Sequence, residues 1–110
     1  MVQRLAELPP EAISVPAVAI GELFVGAFGS TQSEQALQAV ELFARSATVI
    51  PTDSSTARIY GQIKDEMRRR GRPIPENDVW IAALAIQHDL TLITRDAHFD
   101  HITGLALDHW

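Results

Sequence analysis

Apolar and polar residues follow one another along the 110-residue chain in patterns that predict short strands separated by amphipathic helices. The segment EAISV predicts a strand that ends at Pro16, whose fixed φ suits the first turn of a helix. Residues 16–30 then carry apolar side chains at helical spacing and end in a Gly-Ser stop. The apolar residues at this spacing are Val18, Leu23, Phe24, Ala27 and Phe28.

Two further helices flank a strand in the middle of the chain. A capping box, Thr31 with Glu34 three residues later, predicts a helix that runs to about Arg45. Its apolar face is formed by Leu37, Val40, Phe43 and Ala44. The segment ATVI predicts a strand, and Asp53 is the expected N-cap of the helix after it, which Gly71 ends in the left-handed conformation. The inward residues of that helix are Ile59, Ile63 and Met67.

The last third of the chain predicts a buried helix followed by two strands. Residues 79–86 are apolar on every side, so the helix from about Asn77 to His88 should be largely buried. The strands TLIT and LALDHW follow, with a turn containing Phe99 between them. Strands that alternate with helices predict an α/β fold, a three-layer sandwich with a mainly parallel sheet. The length predicts a single domain over residues 1–110.

Charge and composition exclude some classes of function and of metal site. The net charge of −5 argues against nucleic-acid binding by bulk electrostatics, but it leaves room for an enzyme that gathers carboxylates around a metal. The arginines of RRRGR either only complement the helix dipole or also contact phosphate. The chain has no cysteine, which excludes thiolate metal sites, and no apolar run of about 20 residues that could cross a membrane. We therefore expect a cytoplasmic protein.

Three acidic residues are candidates for a site. Asp96 follows the TLIT strand, and ligands of α/β folds gather beyond the carboxyl ends of strands. Asp78 stands at the start of the apolar helix, where capping by Asn77 or Asp78 is the alternative explanation. Glu22 lies among apolar residues and glycines. Either desolvation pushes it toward neutrality, or a cation or metal holds it charged, or it points to water from a narrow polar side.

Three segments of the chain resemble the PIN-domain nucleases, and within them the VapC-like toxins of toxin–antitoxin pairs. These segments are ISVPAVAIGELFVGA, IPENDVWIAALAIQHDLTLITRDAHFD and GLALDHW, and the resemblance extends from about residue 12 to 110. It implies a Mg²⁺- or Mn²⁺-dependent endoribonuclease with Glu22, Asp78 and Asp96 as catalytic acids and metal ligands. Asp100 is a further metal ligand by the same resemblance. The substrate-binding residues expected beside them are Asn77, Thr94, Arg95, Arg70 and Arg72.

The resemblance also implies partners. These are an RNA substrate, a cognate antitoxin and a second copy in a homodimer. The alternative function is a catalytically inactive PIN-fold module that binds an antitoxin or RNA without cleavage. Metal dependence distinguishes the two, because only the enzyme requires the cation for its effect on RNA.

The chain departs from the family pattern at its N-terminus. The family's first, central strand, which carries an aspartate in a pattern like LLDTN, has no counterpart here. We expect one metal ligand fewer and low activity for the chain as written, restored by adding such a segment. The histidines are expected at the surface, because the spacing of His88, His98, His101 and His109 fits no zinc motif. Trp80 and Trp110 are expected to serve in packing.

Overall fold

The computed structural model describes residues 14–109, which form two compact units that divide after Pro51. Residues 11–13 of the first predicted strand and Trp110 lie outside the described residues. The single domain predicted over residues 1–110 stays a prediction, and each unit is described by itself.

Two helices and a pair of parallel strands make up the described part of the first unit. Its elements are β1 (Ser14–Pro16), α1 (Ala17–Phe28), α2 (Ser33–Ser46) and β2 (Thr48–Ile50). β1 pairs with β2 in parallel, with Val15 opposite Val49. Pro16 keeps an extended conformation, φ −62° and ψ 140°, and the helix begins at the next residue. The predicted passage from strand to helix at this proline is therefore confirmed.

The apolar faces of the first two helices are less covered than their periodicity predicts. In α1 the buried residues are Ile20 and Ala27, whereas Leu23 and Phe28 are 46% and 70% exposed. Apolar residues lie nearly all round α1, so their spacing does not select the side that packs. In α2 no residue is fully buried.

The predicted capping box at the start of α2 is also wrong. The helix begins at Ser33 after Gln32, and Gln32 makes no side-chain cap hydrogen bond. The Gln32 backbone N–H instead donates to the Ser30 hydroxyl at 3.1 Å. A local turn at Ser30 therefore precedes the helix, whose N-cap is Gln32, one residue later than the predicted box would place it.

The second unit contains the remaining helices and a second pair of parallel strands. Its elements are α3 (Ser54–Arg69), α4 (Glu76–Gln87), β3 (Leu92–Thr94), a 3₁₀ helix (Ala97–His101) and β4 (Leu107–His109). β3 pairs with β4 in parallel, with Ile93 opposite Asp108. α3 packs against α4, and the 3₁₀ helix packs against α4 as well. Parallel strands alternating with helices confirm the predicted α/β class.

Both ends of α3 are fixed by hydrogen bonds. Asp53 caps the helix as predicted, since its carboxylate accepts from the Thr56 N–H at 3.0 Å and also from the Gln87 side-chain amide at 2.9 Å. These hydrogen bonds, that of the Thr56 backbone first, lower the pKa of Asp53. At the other end Gly71 has φ +68°, and the Arg72 N–H donates to the Met67 carbonyl at 2.9 Å. The predicted left-handed end is confirmed.

The predicted burial of α4 is confirmed. Val79 and Leu84 are among its most buried side chains, with 2% and 0% exposure. The helix ends at Gln87, and Asp89 two residues later adopts φ 53°, a conformation that aspartate tolerates better than most residues. The Leu90 N–H then donates to the Ala85 carbonyl at 2.8 Å. Within residues 14–109, no helix combines the length and the apolar character that crossing a bilayer requires.

Candidate metal centre

Asp78 lies in the first turn of α4 with its side chain only 16% exposed. The residue that precedes the helix is Pro75, and no side chain caps this end. The capping role considered for Asn77 or Asp78 is therefore wrong, because the Pro75 carbonyl already accepts the Asp78 N–H at 3.0 Å. The carboxylate of Asp78 is available for another partner, and the positive end of the helix dipole favours its negative charge.

Contacts from α3 hold the first turn of α4 in place. The ammonium of Lys64 lies 2.6 Å from Oε2 of Glu76, and the Tyr60 hydroxyl donates to the same carboxylate. The Tyr60 ring stacks on Trp80 with 4.0 Å between centroids, so Trp80 serves in packing as expected. Hydrogen bonds from Lys64 and then Tyr60 lower the pKa of Glu76, and the bond to Glu76 raises the pKa of Lys64. The turn that carries Asp78 is thus anchored to its neighbour.

Asp96 lies two residues beyond β3, at the carboxyl end of the strand, where the sequence places it. Its backbone N–H donates to the Thr94 hydroxyl at 3.0 Å, which fixes the turn into the 3₁₀ helix. The Asp96 side chain is 50% exposed. It borders an open depression of about 330 Å³ that is also lined by Ile93, Thr94 and Arg95. A solvent-facing substrate could therefore reach the carboxylate.

His98 brings the two aspartates into one group. Its Nδ1 atom lies 3.2 Å from Oδ2 of Asp78 and 3.2 Å from Oδ1 of Asp96. The three candidate ligand atoms all lie within 4.8 Å of one another. The 3₁₀ helix that carries His98 is anchored by Phe99, which is only 4% exposed. The sequence reasoning missed His98; its signal was a histidine two residues after Asp96 in RDAHFD.

The donor set of this group fits a divalent cation. On a six-coordinate ion with bonds of about 2.1 Å, two ligand atoms at right angles lie about 3.0 Å apart. The 3.2 Å distances from Nδ1 of His98 to the oxygens of Asp78 and Asp96 are close to this value. Two carboxylates this close repel each other unless a positive charge compensates them. The half-exposed side chains of Asp96 and His98 also leave room for the water ligands that Mg²⁺ retains. The three residues can therefore serve as one face of a metal site.

Three other predicted residues lie outside this group. Asn77 is exposed in the first turn of α4, and the carboxylate of Asp100 lies 3.0 Å from Nε2 of His109. Glu22 lies in α1, within the first unit, and is exposed. Its exposure argues against neutralisation by burial and agrees with a side chain that points to water. The metal-binding roles of Glu22 and Asp100 stay predictions.

Two arginines at the end of α3 contact the 3₁₀ helix of the candidate site. Nη1 of Arg70 donates to the His101 carbonyl at 2.7 Å, and Nη1 of Arg72 lies 3.0 Å from the His101 ring. Arg70 also forms an ion pair with Glu66 at 3.3 Å. These contacts go beyond complementing the helix dipole, because they tie the basic segment to the element that carries His98.

Comparison with known proteins identifies relatives of the whole chain. The family model described as PIN domain matches residues 1–105. Ribonuclease VapC1 of Haemophilus influenzae strain R2866 is 33% identical over 110 residues, which cover 98% of this chain and 82% of that protein.

Solved structures share the fold. VapBC-1 from nontypeable Haemophilus influenzae gives a TM-score of 0.86 at 32% identity, over 99% of this chain and 83% of that chain. VapBC-5 from Mycobacterium tuberculosis is a member of the VapBC family of toxin-antitoxin systems. It gives a TM-score of 0.73 at 30% identity, over 87% of this chain and 79% of that chain.

Proposed function

Because this chain belongs to the PIN-domain family and is related within it to the VapC ribonucleases, we propose that it is a divalent-metal-dependent endoribonuclease and the toxin of a toxin–antitoxin pair. The observation that supports this most directly is the convergence of Asp78, Asp96 and His98 on one point at the end of β3. The expected ion is Mg²⁺ or Mn²⁺, since carboxylate oxygens suit both.

Each predicted site residue is assigned a task in this proposal. Asp78 and Asp96 hold the cation, and Glu22 and Asp100 are proposed as further acidic ligands. When bound, the cation supplies an activated water and stabilises charge on the scissile phosphodiester. The Thr94 hydroxyl keeps the Asp96 turn in place by accepting its N–H. Asn77 is proposed to orient Asp78 or to hold a water of the site.

RNA contact is assigned to a few local cations, because the net charge of the chain is −5. Arg95 lines the depression beside Asp96, and Arg70 and Arg72 lie against the 3₁₀ helix that carries His98. Guanidinium groups at these places suit phosphate oxygens, which they can bind by two parallel hydrogen bonds. The acidic remainder of the surface then limits nonspecific retention of RNA.

The antitoxin is proposed to cover the apolar surface of α1. Leu23, Val25 and Phe28 are exposed there by 46%, 75% and 70%, and exposed apolar side chains in such number are typical of a protein-binding surface. VapBC-5, which has this fold, belongs to a toxin–antitoxin system. The homodimer stays a prediction, which light scattering tests by finding twice the mass of the chain. We propose the cytoplasm as the location, since RNA substrates occur there.

RNA cleavage with defined metals tests the proposed function. The purified chain should cut structured RNA in Mg²⁺ or Mn²⁺ and stop in excess EDTA. A second form, extended at the N-terminus by a strand ending in Asp-Thr-Asn, should cut faster if a further acidic ligand is needed. Cleavage unaffected by EDTA would contradict the metal-dependent mechanism. RNA binding by both forms without cleavage would instead fit the inactive binding module.

A further inference from the structure

His98 occupies a position that neither a surface histidine nor a simple ion pair requires. Its Nδ1 atom is equidistant, at 3.2 Å, from one oxygen of Asp78 and one oxygen of Asp96. A single N–H can point at one of these oxygens with good geometry, but not at both. The arrangement of one nitrogen between two carboxylates is that of three ligand atoms around a common centre.

Another imidazole of the same unit provides a contrast. His109 contacts the carboxylate of Asp100 through Nε2 at 3.0 Å, and the pair is not part of any group of three candidate ligands within residues 14–109. His98 differs because it joins carboxylates from two elements, the first turn of α4 and the residue that opens the 3₁₀ helix. Its helix is held by buried Phe99, so the ring is presented from a fixed backbone.

We propose that His98 is a direct metal ligand of this site and that its nitrogen shifts the preference of the protein from Mg²⁺ toward Mn²⁺. The inference rests on the proposed metal-dependent function and specifies its ion. Mg²⁺ prefers oxygen ligands, whereas affinity for nitrogen-containing sites is higher among the first-row transition metals. A site of two carboxylates and one imidazole therefore discriminates in favour of Mn²⁺ more than an all-carboxylate site does.

Calorimetric titration and pulsed electron paramagnetic resonance test the proposal. MnCl₂ and MgCl₂ are titrated into the wild-type chain, His98→Ala and His98→Asp. His98→Ala should lose about 10-fold or more in Mn²⁺ affinity, as loss of even an outer-shell partner costs 10–100-fold, and should lose less for Mg²⁺. His98→Asp, which supplies an oxygen instead, should recover Mg²⁺ binding and reduce the preference for Mn²⁺.

The resonance experiment separates direct coordination from a supporting hydrogen bond. The Mn²⁺-loaded wild type should show the hyperfine coupling of a coordinated imidazole nitrogen, and His98→Ala should lack it. The matched control is His88→Ala, which removes an exposed imidazole just beyond the end of α4 and should keep both the affinity and the coupling.

Different results overturn different claims. Mn²⁺ binding that Asp78→Asn removes but that shows no nitrogen coupling in the wild type would overturn the role of His98 and leave the proposed function intact. Mn²⁺ binding by His98→Ala that equals or exceeds that of the wild type would also overturn the role of His98 and leave the proposed function intact. A wild-type chain that binds neither ion at millimolar concentration would overturn the metal-dependent function together with this inference.

Discussion

Nδ1 of His98 lies 3.2 Å from Oδ2 of Asp78, although twenty positions separate the two residues along the chain. The contact joins the first turn of α4 to the 3₁₀ helix that follows β3. Burial of most of residues 79–85 holds α4 in place and Phe99 anchors the 3₁₀ helix, so apolar packing fixes both backbones at this contact. The chemistry proposed for the protein depends on these two anchors.

The buried hydroxyl of Thr56 offers a test of how α3 and α4 are joined. It accepts the Asp53 N–H at 3.0 Å, contacts the Gln87 side chain, and Thr56 is 0% exposed. Thr56→Val keeps the volume but leaves the Asp53 donor without this partner, and should lower the free energy of unfolding by about 1–3 kcal/mol. Urea denaturation measures the loss. Thr52→Val, at an exposed position, should stay near wild type.

The ion pair between Lys64 and Glu76 should give stability a defined pH dependence. The pKa of Glu76 is lowered in the folded state, so its contribution is complete above the ordinary carboxyl range and disappears as the pH falls through about 4 and below. The pKa of Lys64 is raised, so its contribution persists through neutral pH and disappears only as the solution becomes more alkaline than about pH 10.

Glu76→Gln tests this dependence through melting temperatures measured from pH 3 to pH 8. The variant should be less stable than wild type at pH 7, and the difference should shrink steadily on acidification. Added salt should also reduce this difference in melting temperature, because the Lys64–Glu76 ion pair is largely exposed. A difference that stays constant down to pH 3 would show that the carboxylate charge contributes nothing.

Arg72→Ala should weaken RNA binding without preventing the chemical step. Loss of one phosphate contact to a single-stranded segment should reduce the slope of log affinity against log salt by about 0.7. Fluorescence anisotropy in an Asp78→Asn background measures binding without cleavage. Arg45→Ala, an exposed cation at the end of α2, is the matched control. An identical salt slope for Arg72→Ala and its parent would remove Arg72 from the RNA contact.

The sequence correctly predicted those helices whose capping residues and apolar pattern agree with the way the helix is buried. Asp53 caps α3 as predicted, and the unbroken apolar run of α4 correctly indicated a buried helix. The cap predicted at Thr31 failed because the helix begins one residue later, after Gln32, which has no side-chain cap hydrogen bond. The side of α1 that packs was not predictable, because a helix that is apolar on most sides does not reveal which side its neighbours cover.

The candidate site was predictable only in part. Asp96 could be placed at the carboxyl end of a strand from order alone, and Asp78 at the start of a helix. The two carboxylates approach the same ring nitrogen because α4 packs against the 3₁₀ helix. The periodicity of apolar residues in the sequence does not predict this tertiary contact. His98 looked like a surface histidine for the same reason.

Cleavage kinetics of aspartate variants test the central claim, that Asp78 and Asp96 belong to one metal site that cuts RNA. Asp78→Asn and Asp96→Asn should each lower the Mn²⁺-dependent rate by about 100-fold or more, and the double variant should be little slower than the slower single one, because residues acting as a unit are not additive. Asp65→Asn, which alters an exposed carboxylate paired with Arg69 on α3, should keep the wild-type rate. A wild-type rate in either folded single variant would contradict the account.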